Sequence, residues 1–160
     1  MAALTMTPLF RETQSFWNNG FVRWTVGLAA VFSVAVVGYA SVAEGSMIVL
    51  VWTLLGCAVV ALLVGRLRLD TELTDAGLRV RLWPFPSATY AWTDIASAEV
   101  RTYRPLLDYG GWGLRFGPKG MAWNAYGTEG VQLVLRSGRR VLVGSQRADE
   151  LAEEIRARLS

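Results

Sequence analysis

Apolar and polar positions follow two different periods along this chain, and the change falls at Arg66. Upstream, residues 24–43 and 46–65 are two runs of 20 residues each without Asp, Glu, Lys or Arg. At a rise of roughly 1.5 Å per residue, a run of that length covers about 30 Å as a helix, the thickness of a hydrocarbon core. The hydroxyl residues within them, Thr25, Ser33, Ser41 and Thr53, stand isolated and can bond back to their own helix. Only Glu44 and Gly45 separate the runs, which predicts an antiparallel transmembrane α-helical hairpin. Small residues four apart, Ala29 with Ser33 and Ala61 with Gly65, are either a close helix contact or the ordinary small-residue content of a membrane helix.

After Gly65 the period becomes two. Leu67, Leu69, Thr71 and Leu73 alternate with Arg68, Asp70 and Glu72, and Leu78, Val80 and Leu82 alternate with Arg79 and Arg81, as in strands with one buried face. Asp75-Ala76-Gly77 supplies the turn. Pairing Leu73 with Leu78 sets Glu72 opposite Arg79 and Asp70 opposite Arg81 outside, with Leu69 opposite Leu82 inside. Trp83-Pro84-Phe85-Pro86 cannot continue a central strand, because two prolines remove ladder donors. Shorter strands are predicted at 88–92, 96–103, 112–116, 121–125, 131–136 and 140–144, with Pro105, Gly110-Gly111, Pro118-Lys119-Gly120, residues 127–130 and Ser137-Gly138 as breakers. A connection at Ser137-Gly138-Arg139 pairs Leu135 with Val141 and Leu133 with Val143. A helix is predicted over 148–159: Leu151, Ile155 and Leu159 form a stripe beside Ala148 and Ala152, with Asp149 and Glu150 in the first turn and Arg156 and Arg158 in the last.

The predicted fold is therefore a transmembrane hairpin followed by an all-β small barrel of seven or eight antiparallel strands, closed by a C-terminal capping α-helix. The predicted domains are a short cytoplasmic N-terminal segment at 1–23, the hairpin at 24–65 and the barrel at 66–160.

Composition and charge sharpen this. Hydrophobic residues make up 52% of the chain and charged ones 18%, and only Arg11, Glu12, Arg23 and Glu44 are charged before residue 66. Sixteen Lys and Arg against thirteen Asp and Glu leave +3, too mild for a nucleic-acid partner. There is no histidine, which removes the commonest metal ligand and general base, Ser-His-Asp triads and histidine pH switches. The one cysteine, Cys57, lies in mid-run, where a thiol behaves as a small hydrophobe. Arg11 and Arg23 precede the first run, Arg66 and Arg68 follow the second, and the connection has no Lys or Arg. The positive-inside bias then makes both termini cytoplasmic and the protein multi-pass in the cell membrane, with Trp17, Trp24 and Tyr39 near the interfaces. A rival reading takes the first run as a signal peptide cleaved after Ser41-Val42-Ala43. The run is longer than the usual h-region of about 7–15 residues; if cleavage occurred, one span would remain.

Several segments carry a family resemblance: Phe10-Arg11-Glu12 with Gln14, Trp92-Thr93-Asp94-Ile95, the residues from Val100 to Pro105, Tyr109-Gly110-Gly111-Trp112-Gly113-Leu114-Arg115, and Val143-Gly144-Ser145-Gln146-Arg147. They resemble an uncharacterised family of two-span bacterial membrane proteins with a Tyr-Gly-Gly-Trp-Gly segment. The strand and helix order behind a hairpin looks like bacterial pleckstrin-homology-like (PH-like) domains. The resemblance covers nearly the whole chain; Ala148 stands where relatives tend to place proline. It implies a PH-like barrel, a membrane address and scaffolding or sensing. It assigns no activity and supplies no catalytic residue.

The candidate site is the segment holding Arg101, Arg104, Asp108, Tyr109, Trp112 and Arg115. As a recognition loop at a barrel rim, its arginines would meet phosphate or carboxylate and Tyr109 or Trp112 would anchor a partner. As scaffold, its glycines turn a tight corner, Trp112 joins the core with Leu114 and Phe116, and Asp108 pairs with an arginine. A phosphoinositide-like site is not expected, because the first hairpin loop at 74–77 has no basic residue. The part from Arg66 onward carries 14 basic and 11 acidic residues, enough to orient a domain near an anionic leaflet. Ser145 with Arg147 and Tyr126 with Glu129 are the pairings an enzyme reading would need, and Gly110-Gly111-Trp112-Gly113 lacks the Lys and Ser or Thr of a phosphate loop.

The expectation is a membrane-anchored interaction or scaffolding module, non-catalytic, without metal or cofactor and without nucleic acid. It is held in the bilayer by residues 24–65 and binds a protein partner or a second copy. The alternatives are a sensor of anionic lipid or a small ligand at the inner leaflet, and an unrecognised membrane-associated hydrolase.

Overall fold

The computed structural model describes residues 10–45, 47–85, 87–117 and 120–159. The chain forms two compact units. One is residues 15–67, and the other joins Gln14 and the residues before it to residues 68 onward.

In the first unit, α1 (Gly20–Glu44) and α2 (Ile48–Arg66) pack on each other. The Asn19 side chain caps α1 by accepting from the Val22 amide at 3.3 Å. The hydroxyls of Thr25, Ser33 and Thr53 bond back to Phe21, Ala29 and Val49 carbonyls at 2.8 to 2.9 Å. The shielded stripe on α1 runs through Val22, Val26, Ala30, Ser33, Val37 and Ser41, and on α2 through Leu50, Thr53, Cys57, Ala61 and Val64. Of the expected small-residue pairs, Ser33 and Ala61 lie in these stripes, whereas Ala29 and Gly65 are exposed. The remaining faces expose Trp24, Leu28, Phe32, Trp52, Leu55 and Leu63. Gly20–Ala43 and Ile48–Arg66 are both long and apolar enough to cross a membrane, and a surface of this kind associates with one. Length and composition reach no further, so the multi-pass designation narrows to membrane association.

The second unit corrects the expected barrel. Among the described residues there are nine strands: β1 (Arg11–Ser15), β2 (Arg68–Thr74), β3 (Gly77–Trp83), β4 (Ser87–Ala91), β5 (Ile95–Thr102), β6 (Gly113–Gly117), β7 (Gly120–Asn124), β8 (Glu129–Leu135) and β9 (Arg140–Gly144). They form two separate sheets, ordered β1-β2-β3-β4 and β5-β8-β9-β7-β6, rather than one closed, all-antiparallel PH-like barrel. The cause is local. A 3₁₀ turn at Trp92–Asp94 breaks the path from β4 to β5, β5 then pairs with β8, and β9 inserts between β8 and β7, running parallel to β7. Among the described residues there are four α-helices instead of a hairpin plus a cap. The additional one is the short α3 (Pro105–Tyr109), begun by proline at its first turn, where proline costs no hydrogen bond. The PH-like label does not describe these sheets.

Much of the local prediction stands. The β2–β3 register pairs Leu73 with Leu78, Glu72 with Arg79, Asp70 with Arg81 and Leu69 with Leu82. Arg79 and Glu72 form an ion pair at 3.6 Å, but the Asp70 carboxylate turns to Arg68 at 3.5 Å and accepts from the Thr13 hydroxyl at 2.8 Å. The β8–β9 register is shifted from the expected one: Leu133 faces Val141 and Val131 faces Val143. The loop residues are Arg136, Ser137 and Gly138, closed by the Leu135 amide donating to the Arg139 carbonyl at 2.9 Å. Gly138 takes the left-handed conformation at φ 81° that a three-residue loop requires of its last position. Moving the loop by one residue moves the register by two, so the buried face is unchanged.

The unexpected strand is β1. The Phe10 carbonyl accepts from the Leu73 amide at 3.1 Å, and within the hairpin unit the Phe16 amide donates to the Leu67 carbonyl at 3.1 Å. Arg11–Ser15, within the segment expected ahead of the hairpin, is thus a strand of the first sheet, and the two helices lie in sequence between two neighbouring strands. The core gathers Leu69, Leu78 and Val80 from one sheet with Ile95, Leu133 and Val143 from the other. α4 (Ala148–Leu159), at its predicted bounds, buries Ala148, Leu151, Ala152 and Ile155. Its Arg156 Nε donates to the Ala98 carbonyl of β5 at 2.9 Å.

Candidate functional site

The six candidate residues are built into the cover of one sheet face. Arg101, on β5, donates to the Gln132 side-chain oxygen of β8 at 2.8 Å. Arg104 caps α3: its backbone amide donates to Asp108 Oδ2 at 3.0 Å, while its carbonyl accepts from the Asp108 amide at 2.8 Å. Asp108 thus serves the start of α3. Tyr109 is buried with Tyr103, Ala122 and Leu142, its ring meeting Tyr103 edge-on at 6.0 Å. Trp112 is half-buried, and its carbonyl accepts from Arg115 Nε at 2.8 Å. The structure therefore gathers these residues along one segment and ties each to its own scaffold. Exposed beside them are the side chains of Leu106 and Leu107.

Burial governs the tyrosines. The Tyr103 phenol is pushed up to about 12, mainly by loss of solvent, with Asn124 beside it pulling down and Tyr109 pushing up. Tyr109 is raised by burial against the pull of Arg101, and Tyr90 by burial against its bond from Trp123 and the charge of Arg139. These phenols remain protonated near neutrality and offer no base.

A second cluster joins two of the segments that carry the family resemblance, and it holds Ser145 and Arg147, the pair an enzyme reading would need. Glu12, 8% exposed, accepts from the Ser145 hydroxyl and from the Gln146 amide, the latter at 2.8 Å. Gln14 Nε2 donates to the Gly144 carbonyl at 2.9 Å, and the Arg147 guanidinium lies 4.8 Å from the Phe10 ring centroid. Ser145 also accepts from the Arg147 amide at 3.0 Å. The cluster fastens β1 to the junction of β9 and α4. Its serine donates to a carboxylate and is wholly buried.

At the other end of β9 lies an open groove of about 540 Å³, lined by Phe116 and Met121 with Arg139, Arg140 and the glycines of the two adjoining turns. Phe116 is 75% exposed. The sequence signal for it was faint: an aromatic at a strand end and two arginines after a turn. Pro118 and Lys119, named as a breaker, lie outside the described residues. Among the described residues no three His, Cys, Asp or Glu side chains come together as a metal site. No protein-family model matches the chain, and no curated protein shows significant similarity to it.

Proposed function

We propose that the chain is a bilayer-anchored, non-catalytic interaction module. Its α1–α2 hairpin inserts from the cytoplasmic side, both termini stay in the cytoplasm, and the two-sheet unit holds a protein partner at the inner leaflet. The observation that carries the reading is the place of the hairpin between β1 and β2, which pair in one sheet. Strands that share a sheet share a compartment, so an even number of crossings separates them. The arginines at 11, 23, 66 and 68 favour the cytoplasm for that compartment. Cleavage after Ala43 would remove β1 and leave Ser145 and Gln146 without Glu12, which speaks for an uncleaved first helix. The groove at Phe116 supplies concave, partly apolar surface with polar groups at its rim, the form of a binding site.

Two measurements test the proposal. In a Cys57→Ala background, Thr13→Cys and Ser137→Cys should both resist a membrane-impermeant maleimide in intact cells and react after permeabilisation; reaction of either from outside overturns the topology. A photo-cross-linking residue at Phe116 should give a protein adduct in cells that the same residue at Thr89 does not give. Equal adducts, or none, overturn the partner site.

A further inference from the structure

The groove has a direction, a charge and a neighbouring open sheet edge, and together they restrict what fits it. β9 runs from Arg140 at the groove to Gly144, whose carbonyl accepts from Gln14, the residue where the soluble unit passes to the hairpin. The five residues of β9 put about 13 Å between the groove and that exit. Along this sheet the groove and Gln14 therefore lie at opposite ends of β9.

β6 forms the sheet edge beside the groove and pairs only with β7 among the described residues. The opposite edge, β5, is different: α4 packs on it, and Arg156 occupies the Ala98 carbonyl. On β6 the exposed side chains are Arg115 and Phe116. Arg139 and Arg140 line the groove itself and are exposed as well. Asp108, the one acidic residue of α3, accepts from the backbone amide of Arg104.

We infer that the β6 edge and the groove bind an extended, acidic peptide segment of a protein partner. The segment adds as a further strand on β6, seats an apolar side chain against Phe116 and Met121, and sets carboxylates against Arg115, Arg139 and Arg140. Backbone pairing at an edge supplies sequence-independent hold, and alternate side chains supply selection. Arginine favours carboxylate through its planar donor pair. The inference rests on the interaction-module reading and names the partner's chemistry.

The test uses the full chain in phosphatidylcholine nanodiscs and fluorescent alternating peptides of about ten residues: Glu-Val, Lys-Val, and Glu-Val with every second backbone amide methylated. Anisotropy should show Glu-Val binding at least about tenfold tighter than Lys-Val. Methylation should weaken it about fivefold for each ladder bond blocked. The Arg139→Glu, Arg140→Glu double variant should reverse the charge preference while keeping the wild-type thermal transition. No binding, equal binding of both charges, or indifference to methylation overturns the inference. So does self-association of the chain through Phe116 that Glu-Val does not compete away, which would make a second copy the occupant. A partner adduct at Phe116 that survives any of these failures leaves the interaction-module reading standing and removes only the acidic strand.

Discussion

Removing the hairpin while keeping β1 should yield a stable soluble protein, and removing both should not. In the register fixed by the Phe10–Leu73 bond, Ser15 falls opposite Arg68. Phe16 and Leu67 form the next, hydrogen-bonded pair, so a two-residue Asn-Gly turn in place of residues 17–66 joins the strands as a tight hairpin. The comparison is a chain that begins at Arg68. It loses Phe10, 2% exposed in the fold, worth about 1.5–3 kcal/mol of burial. It also loses the Glu12 bonds to Ser145 and Gln146, worth about 1.5–3 kcal/mol as hydrogen bonds to a charge, and the Gln14 bond at about 1 kcal/mol. The sum, about 4–7 kcal/mol, rivals the 5–15 kcal/mol typical of a whole domain. Urea titration followed by tryptophan fluorescence should place the turn-closed variant's midpoint at least about 2 M above that of the truncated chain. Midpoints agreeing within about 0.3 M would refute β1 as part of the soluble fold.

Three further predictions use the same turn-closed variant. Because the folded Tyr103 phenol sits at about 12 against 10 in the unfolded chain, the native state holds that proton more tightly. Its stabilising share is complete below pH 10 and disappears as pH rises from 10 through 12, about 2–3 kcal/mol in all. Tm measured across that range should fall less steeply in Tyr103→Phe. Gly144→Ala would place a methyl 3.0 Å from the Tyr103 hydroxyl and 3.1 Å from Asn124 Cβ, costing about 1–3 kcal/mol. The loss should be partly recovered in the double variant with Tyr103→Phe, a coupling that denaturant midpoints measure. Asp108→Ala removes the acceptor of the Arg104 amide and should cost about 0.5–2 kcal/mol, read as faster hydrogen exchange at Arg104 while the core amides keep their protection.

The strands legible in the sequence are those whose alternation is carried by aliphatic residues. β2 and β3 show both their faces and their mutual register, since charge pairing and hydropathy agree there, and α4 is bounded by its charge placement and apolar stripe. β1 is invisible for the opposite reason: Arg11-Glu12-Thr13-Gln14-Ser15 buries polar side chains, Glu12 and Gln14, whose hydrogen bonds run to residues more than 100 positions away. Periodicity assigns a residue to a face but not a strand to a neighbour, so neither the split into two sheets nor the parallel β7–β9 pair could be read from it. The site followed the same division. The aromatic and glycine content around Tyr109 marks a tightly built corner. The groove is assembled from Phe116 and Arg139, which meet only when two turns lie side by side.

On the proposed topology, the place of α1 and α2 between the paired strands β1 and β2 ties completion of the sheet to the threading of the helices. β1 leaves the ribosome first and cannot complete its sheet until both helices and β2 have followed. On that topology, a copy whose second helix failed to return would hold β1 and β2 in different compartments and leave Ser145 and Gln146 without Glu12. Orientation error and folding failure would then be one event.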